Sequence, residues 1–146
     1  MSPDFRCPQI SDVPRFPDAN VLFTAARTPL GKAALIIDCS GEGYWQLLTS
    51  AYVLEEALRN LERKSPTAMP RLDELLRHID MVIPSLSAPC PENLPLKDRP
   101  IFQAAHTGEA SHLLTGDLKD FGLLMNRSEI TFGIIVQTVA EFLATL

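Results

Sequence analysis

Short apolar segments alternate with helical ones along nearly the whole chain, and this alternation constrains the fold more than any other feature. V-P-R-F-P-D, Y-W-Q-L-L-T, M-V-I-P, H-L-L-T and I-T-F-G-I-I-V read as strands. A-N-V-L-F-T-A-A-R, P-L-G-K-A-A-L-I-I-D-C, the stretch from Ser50 to Leu61, R-L-D-E-L-L-R-H-I and I-F-Q-A-A-H-T read as helices between them, and V-A-E-F-L-A-T-L as a last one. Parallel strands need long crossovers, usually helical. Strands that alternate with helices therefore predict an α/β fold, a parallel sheet of four to five strands with helices on both faces.

Local signals set the expected boundaries. Pro3, Pro8, Pro14 and Pro17 keep the first residues out of helix, so residues 1–12 are read as irregular and 13–146 as one domain. Ser50 is a good N-cap, and Leu54, Ala57, Leu58 and Leu61 form an apolar stripe at helical spacing. Pro89, Pro91, Pro95 and Pro100 make the stretch from Ser85 to Pro100 a loop. L-K-D-F-G makes a single turn, and Thr138 caps the final helix.

Four acids, Asp18, Glu56, Asp98 and Asp117, stand where strands hand over to helices or loops. In an open α/β sheet the strand ends form the ligand crevice. Carboxylates converging there repel one another unless a cation sits among them, and hard oxygen ligands suit Mg²⁺ or Mn²⁺. Each acid also has a plainer reading. Asp18 could be a turn residue after Pro17, Asp98 an N-cap, and Glu56 or its neighbour Glu55 part of a solvated helix face. Periodicity does not choose between Glu55 and Glu56. Gly116 gives the turn before Asp117 either a close backbone approach or a positive φ.

The net charge of −5, from 13 basic and 18 acidic residues, excludes a general nucleic-acid coat protein but not a nuclease whose metal ions attract phosphate. No apolar run approaches the ~18 residues of a membrane span, and M-S-P-D-F-R-C-P-Q-I lacks a signal-peptide pattern. A cytoplasmic protein with no membrane partner is expected. Cys7, Cys39 and Cys90 lack C-x-x-C spacing, and His78, His106 and His112 lack ligand spacing, so zinc is not expected.

D-A-N-V-L, S-x-x-x-x-x-E-x-x-x-x-L, K-D-R-P-I-F-x-A-A and L-L-T-G-D-L-K-D-F resemble, in order, the four signature blocks of PIN-domain ribonucleases. The likeness runs from Pro17 to Leu146. It implies a three-layer α/β/α PIN-like domain and Mg²⁺- or Mn²⁺-dependent cleavage of RNA, endonucleolytic on single strands. Asp18, Glu56, Asp98 and Asp117 are then the catalytic metal ligands, with Glu56 favoured over Glu55 by its distance to Leu61. Asp120 becomes a fifth acid. Asn20 would bond Asp18 or the substrate phosphate, Arg99 a phosphate or a surface partner, and Thr115 a carboxylate or the attacking water. Many members, including the VapC type, are toxins of toxin–antitoxin pairs, so the expected partners are RNA and an antitoxin; a homodimer is compatible with this.

Other readings fail on detail. A haloacid-dehalogenase-type phosphatase needs D-x-D where D-A-N stands, a receiver domain needs an aspartate where Pro84-Ser85 stands, and Gly31-Lys32 lacks the first glycine of a phosphate loop, replaced by Ala26. The alternative from another class is a PIN-like interaction module with little or no catalysis, binding a protein or RNA.

Overall fold

The computed structural model describes residues 13–146; the irregular segment expected over residues 1–12, with Cys7, lies outside them. Five strands, β1 (Arg15–Pro17), β2 (Leu47–Thr49), β3 (Ile79–Met81), β4 (His112–Leu114) and β5 (Ile135–Gln137), form one sheet in the order β3-β2-β1-β4-β5. Every neighbouring pair is parallel. The helices are α1 (Ala19–Arg27), α2 (Lys32–Gly41), α3 (Ala51–Lys64), α4 (Met69–Leu75), α5 (Arg99–Thr107), α6 (Leu118–Phe121) and α7 (Val139–Ala144). They flank the sheet, giving the three-layer α/β/α architecture that the alternation implies.

Strand burial explains the order. All of β2 is buried, as are two of the three residues in each of β1, β4 and β5, whereas edge strand β3 buries only Ile79. Phe16, Leu47, Leu113 and Val136 fill the centre of the core with no exposed surface. α1 packs on α2, α3 and α4, while α5 packs on β2, β4 and α3.

The chain leaves β1 for β2 and β3 on one side, then crosses back to β4 and β5 on the other. The order therefore reverses between β1 and β4. At such a switch point the connections diverge and open a crevice at the carboxyl ends of the strands. Asp18 directly follows β1, and Asp117 lies three residues beyond β4.

Three boundaries differ from expectation. The third strand is Ile79–Met81 rather than M-V-I-P, because α4 stops at Leu75 and a 3₁₀ turn (Leu76–His78) delivers the chain to the sheet early. Asp80 disguises that strand in the sequence, being a poor β-former tolerated on an exposed edge. The fifth strand is only Ile135–Gln137. Its expected first half is a turn in which Phe132 (φ 54°) and Gly133 (φ 84°) take the left-handed conformation. On α3 the fully buried stripe is Val53, Ala57 and Leu61, with Leu54 and Leu58 half-buried beside it.

Among the described residues, no helix is long and apolar enough to cross a membrane.

Candidate active site

Asp18 is the best-anchored acid. It is the N-cap of α1, and its Oδ1 accepts from the Ala19 backbone N–H at 2.7 Å. Its Oδ2 accepts from the Thr115 hydroxyl at 2.9 Å and the Asn20 side-chain amide at 3.1 Å. Its own N–H donates to Leu114 O at 2.8 Å, tying the loop after β1 to the end of β4. Burial raises the Asp18 pKa to about 6 against the opposing pull of the Ala19 and Thr115 hydrogen bonds, with Glu56 and Asp117 adding repulsion.

Thr115 and Asn20 hold the turn after β4. The fully buried Thr115 hydroxyl also accepts from the Asp117 N–H at 3.0 Å, and Asn20 Oδ1 accepts from the Gly116 N–H at 2.7 Å. Of the two roles open to each, both residues hydrogen-bond Asp18. Gly116 does not adopt positive φ; its use is the close approach, because a Cβ there would lie 3.3 Å from Asn20 Oδ1. Asp117 caps the short α6 by accepting from the Asp120 N–H at 3.1 Å.

Glu56 is carried in by α3, whose N-terminus is capped by the Ser50 side chain accepting from the Val53 N–H at 3.4 Å. With Val53, Ala57 and Leu61 locked into the core, the next face of the helix presents Tyr52, Glu56 and Asn60 at four-residue intervals. Glu55 is exposed and off that face.

Asp98 ends the 3₁₀ turn Leu96–Asp98 and stands at the N-cap position of α5, but its side chain makes no capping bond. Asp98 is 6% exposed, and its Oδ2 is buried and accepts no hydrogen bond. Burial, then a hydrogen bond with the neighbouring Asp120 carboxylate and repulsion from it, raises the Asp98 pKa to about 7. Asp120 moves the other way, held below the usual carboxylate range chiefly by the Lys97 ammonium 3.0 Å from its Oδ2.

Asp18, Glu56, Asp98 and Asp117 line one open cavity of ≈ 260 Å³. Asp120 is off its wall, yet Asp98, Asp117 and Asp120 each offer a carboxylate oxygen within 4.8 Å of the others. Two of these carboxyl pKa values are raised, with burial a larger cause than mutual repulsion in both. Arg99 is exposed and does not line the cavity, whereas Lys97, two positions earlier, does. Sequence reasoning also missed Tyr52 and Asn60, although the four-residue spacing about Glu56 was a usable signal.

The chain superposes on a crystal structure of VapBC2 from Rickettsia felis bound to a DNA fragment from its promoter, with a TM-score of 0.61. The match covers 86% of this chain and 98% of that one at 15% identity. The chain has a PIN-like fold of the VapC type. No protein-family model matches it, and no curated protein matches it in sequence. Its acidic cluster lies at the switch point of this PIN-like sheet.

The donor set fits a hard divalent cation. An ionised carboxylate has about four lone-pair sites. Three protein bonds to Asp18 leave one, and the buried Asp98 Oδ2 accepts no hydrogen bond, its neighbours being the Asp117 and Asp120 carboxylates. A buried polar atom without a partner is costly, and a cation bound by this oxygen would remove that cost.

Proposed function

We propose that the chain is a Mg²⁺- or Mn²⁺-dependent ribonuclease that cuts single-stranded RNA internally. The observation that carries this reading is Asp98, whose buried Oδ2 accepts no hydrogen bond and whose carboxylate offers an oxygen within 4.8 Å of oxygens of Asp117 and Asp120, beside a cavity that Asp18 and Glu56 also line. Asp18, Glu56, Asp98 and Asp117 would hold the metal, with Asp120 within reach. When bound, such an ion polarises the scissile phosphate and lowers the pKa of the attacking water.

The remaining residues set geometry. The Thr115 hydroxyl and Asn20 amide fix one Asp18 oxygen, so that the carboxylate is already oriented when substrate arrives. Asn20 and Thr115 also clamp the 116–117 backbone, which fixes Asp117 relative to Asp18. Tyr52, 38% exposed on the cavity wall, offers an aromatic surface to a base of the strand.

The likeness to VapBC2 supports a further reading, that the chain is the toxin of a toxin–antitoxin pair acting in the cytoplasm. Of the two candidate docking surfaces for an antitoxin, the apolar helix 51–62 and the Pro-rich 85–97 loop, the first has its apolar stripe buried in the core, while the loop exposes Leu86 and Leu96.

Cleavage of single-stranded RNA by the purified chain in Mn²⁺, with Asp18→Asn as control, tests the enzyme reading. Mn²⁺-dependent cleavage lost in the variant is expected. RNA binding without cleavage by the wild type would favour the interaction module instead.

A further inference from the structure

Lys97 is the single basic residue on the wall of the acidic cavity among the described residues. Its ammonium lies 3.0 Å from Asp120 Oδ2, and the two side chains differ sharply in exposure, 69% for Lys97 and 10% for Asp120. The base of the lysine is held, because the Tyr52 hydroxyl donates to the Lys97 carbonyl at 2.6 Å. The head is not held in this way, having a four-carbon stem in solvent and a single ion-pair partner. With its ammonium in solvent, a pair of this kind contributes little to folding, so stability does not account for placing a lysine here.

The position has an electrostatic consequence. Asp120 also offers an oxygen to the Asp98–Asp117 group, all within 4.8 Å. A cation held by the three carboxylates would stand near the ammonium and repel it through the carboxylate they share. The displaced head would remain at the mouth of the cavity, the place a phosphodiester must pass to reach the acids.

We propose that Lys97 is an exchangeable counter-ion: it competes with the divalent cation for Asp120 and, once displaced, binds a backbone phosphate of the RNA strand. This inference rests on the nuclease reading. It assigns Lys97 two opposed effects, weakening metal binding and strengthening substrate binding, which a static surface ion pair would not produce.

The test uses the full chain as wild type, Lys97→Met and Lys97→Arg. Methionine keeps the length and apolar stem without the charge; arginine keeps the charge. Mn²⁺ alone is titrated by calorimetry. Lys97→Met is expected to bind Mn²⁺ roughly two- to fivefold more tightly, the scale of releasing one exposed ion pair, while Lys97→Arg stays near wild type. A fluorescent single-stranded oligoribonucleotide is then bound in Ca²⁺ and followed by anisotropy across a salt series. Lys97→Met should bind it more weakly, with a log–log salt slope shallower by ~0.7, as for one lost phosphate contact on a single strand, and Lys97→Arg should restore the slope. Unchanged or weaker Mn²⁺ binding by Lys97→Met overturns the proposal, and so does an unchanged salt slope. A wild type that binds no Mn²⁺ at millimolar concentration overturns the nuclease reading and this inference with it. Normal wild-type binding with an indifferent Lys97→Met overturns this inference alone.

Discussion

At the scale of single residues, the two adjacent glutamates on α3 show how one helical step separates chemistry from surface. Glu56 is half-buried on the cavity wall, four residues from both Tyr52 and Asn60, while Glu55 is exposed. Glutamine keeps the size of either side chain and removes only its charge. Glu56→Gln is therefore expected to lower Mn²⁺-dependent cleavage by ~100-fold or more, since even outer-sphere partners of metal sites are worth ~10–100-fold. Glu55→Gln should cleave like wild type, and both should melt like wild type. Initial rates on one RNA substrate decide the matter; loss of activity in the Glu55 variant instead would mean that the assigned register on α3 is wrong. Asp98 teaches a related lesson. Its place before α5 has the form of an N-cap, yet its backbone is already helical (φ −98°, ψ −10°), and no side-chain cap forms. The carboxyl that would have satisfied the helix is left for the cavity.

At the scale of elements, the turn after β4 couples two strands through side chains rather than backbone strain. Asn20 on α1 accepts from the Gly116 N–H and donates to Asp18, so anything that moves Asn20 moves the Asp18 carboxylate. A Cβ at position 116 would press on Asn20 Oδ1 at 3.3 Å. Gly116→Ala is expected to lower cleavage moderately and Gly116→Val strongly. Both should change the melting temperature little, because the site is exposed and away from the core, where substitutions usually stay within ~0.5 kcal/mol. Thermal melts and cleavage rates on the same samples would check this; a large loss of stability with proportionate loss of activity would instead place the effect in the fold. The apolar run ahead of β5 fails as a strand for a comparable local reason. The Thr131 hydroxyl donates to Ile134 O at 2.6 Å, and the Gly133 N–H donates to Ser128 O at 2.9 Å, closing a turn that β-propensity alone does not reveal.

At the scale of the whole molecule, the cavity makes stability depend on pH and metal together. The folded pKa values of Asp18 and Asp98, about 6 and about 7, lie above the ordinary 3.8. Their contribution to stability is thus fully present below 3.8 and lost as pH rises through about 6 and about 7. His112 acts in the opposite sense. Burial, then Arg15, lowers its pKa from 6.5 to about 4, so its contribution is present above 6.5 and lost as pH falls through about 4. A divalent cation needs the two carboxyls ionised, so protons compete with it. Mn²⁺ is accordingly expected to raise the melting temperature by several degrees near pH ~8, but by little near pH ~5.5, where protons occupy the ligands. Scanning calorimetry with and without Mn²⁺ at both pH values tests this. An equal shift at both would mean that the metal binds elsewhere, and Asp18→Asn should reduce the shift near pH ~8.

The order of strands and helices and the parallel sheet were legible in the sequence because both rest on local spacing. Alternation forces crossovers; of the acids expected at strand ends, Asp18 and Asp117 do follow strands, whereas Glu56 lies within α3 and Asp98 just before α5, and only the tertiary fold brings these two to the same cavity. The register of β3 was hidden because an edge strand tolerates Asp80, whose burial is decided by the missing neighbour and not by its own propensity. The resemblance favours Glu56 over Glu55, but periodicity alone did not choose; the rotation of α3, set by which apolar residues meet the core, puts Glu56 on the cavity wall. That Thr115 and Asn20 orient Asp18, that Arg99 stands off the cavity and that Lys97 pairs with Asp120 were settled only in three dimensions. These contacts join residues up to 97 positions apart, and the hydrogen bond from Thr115 to Asp18 exists only because β1 and β4 lie side by side.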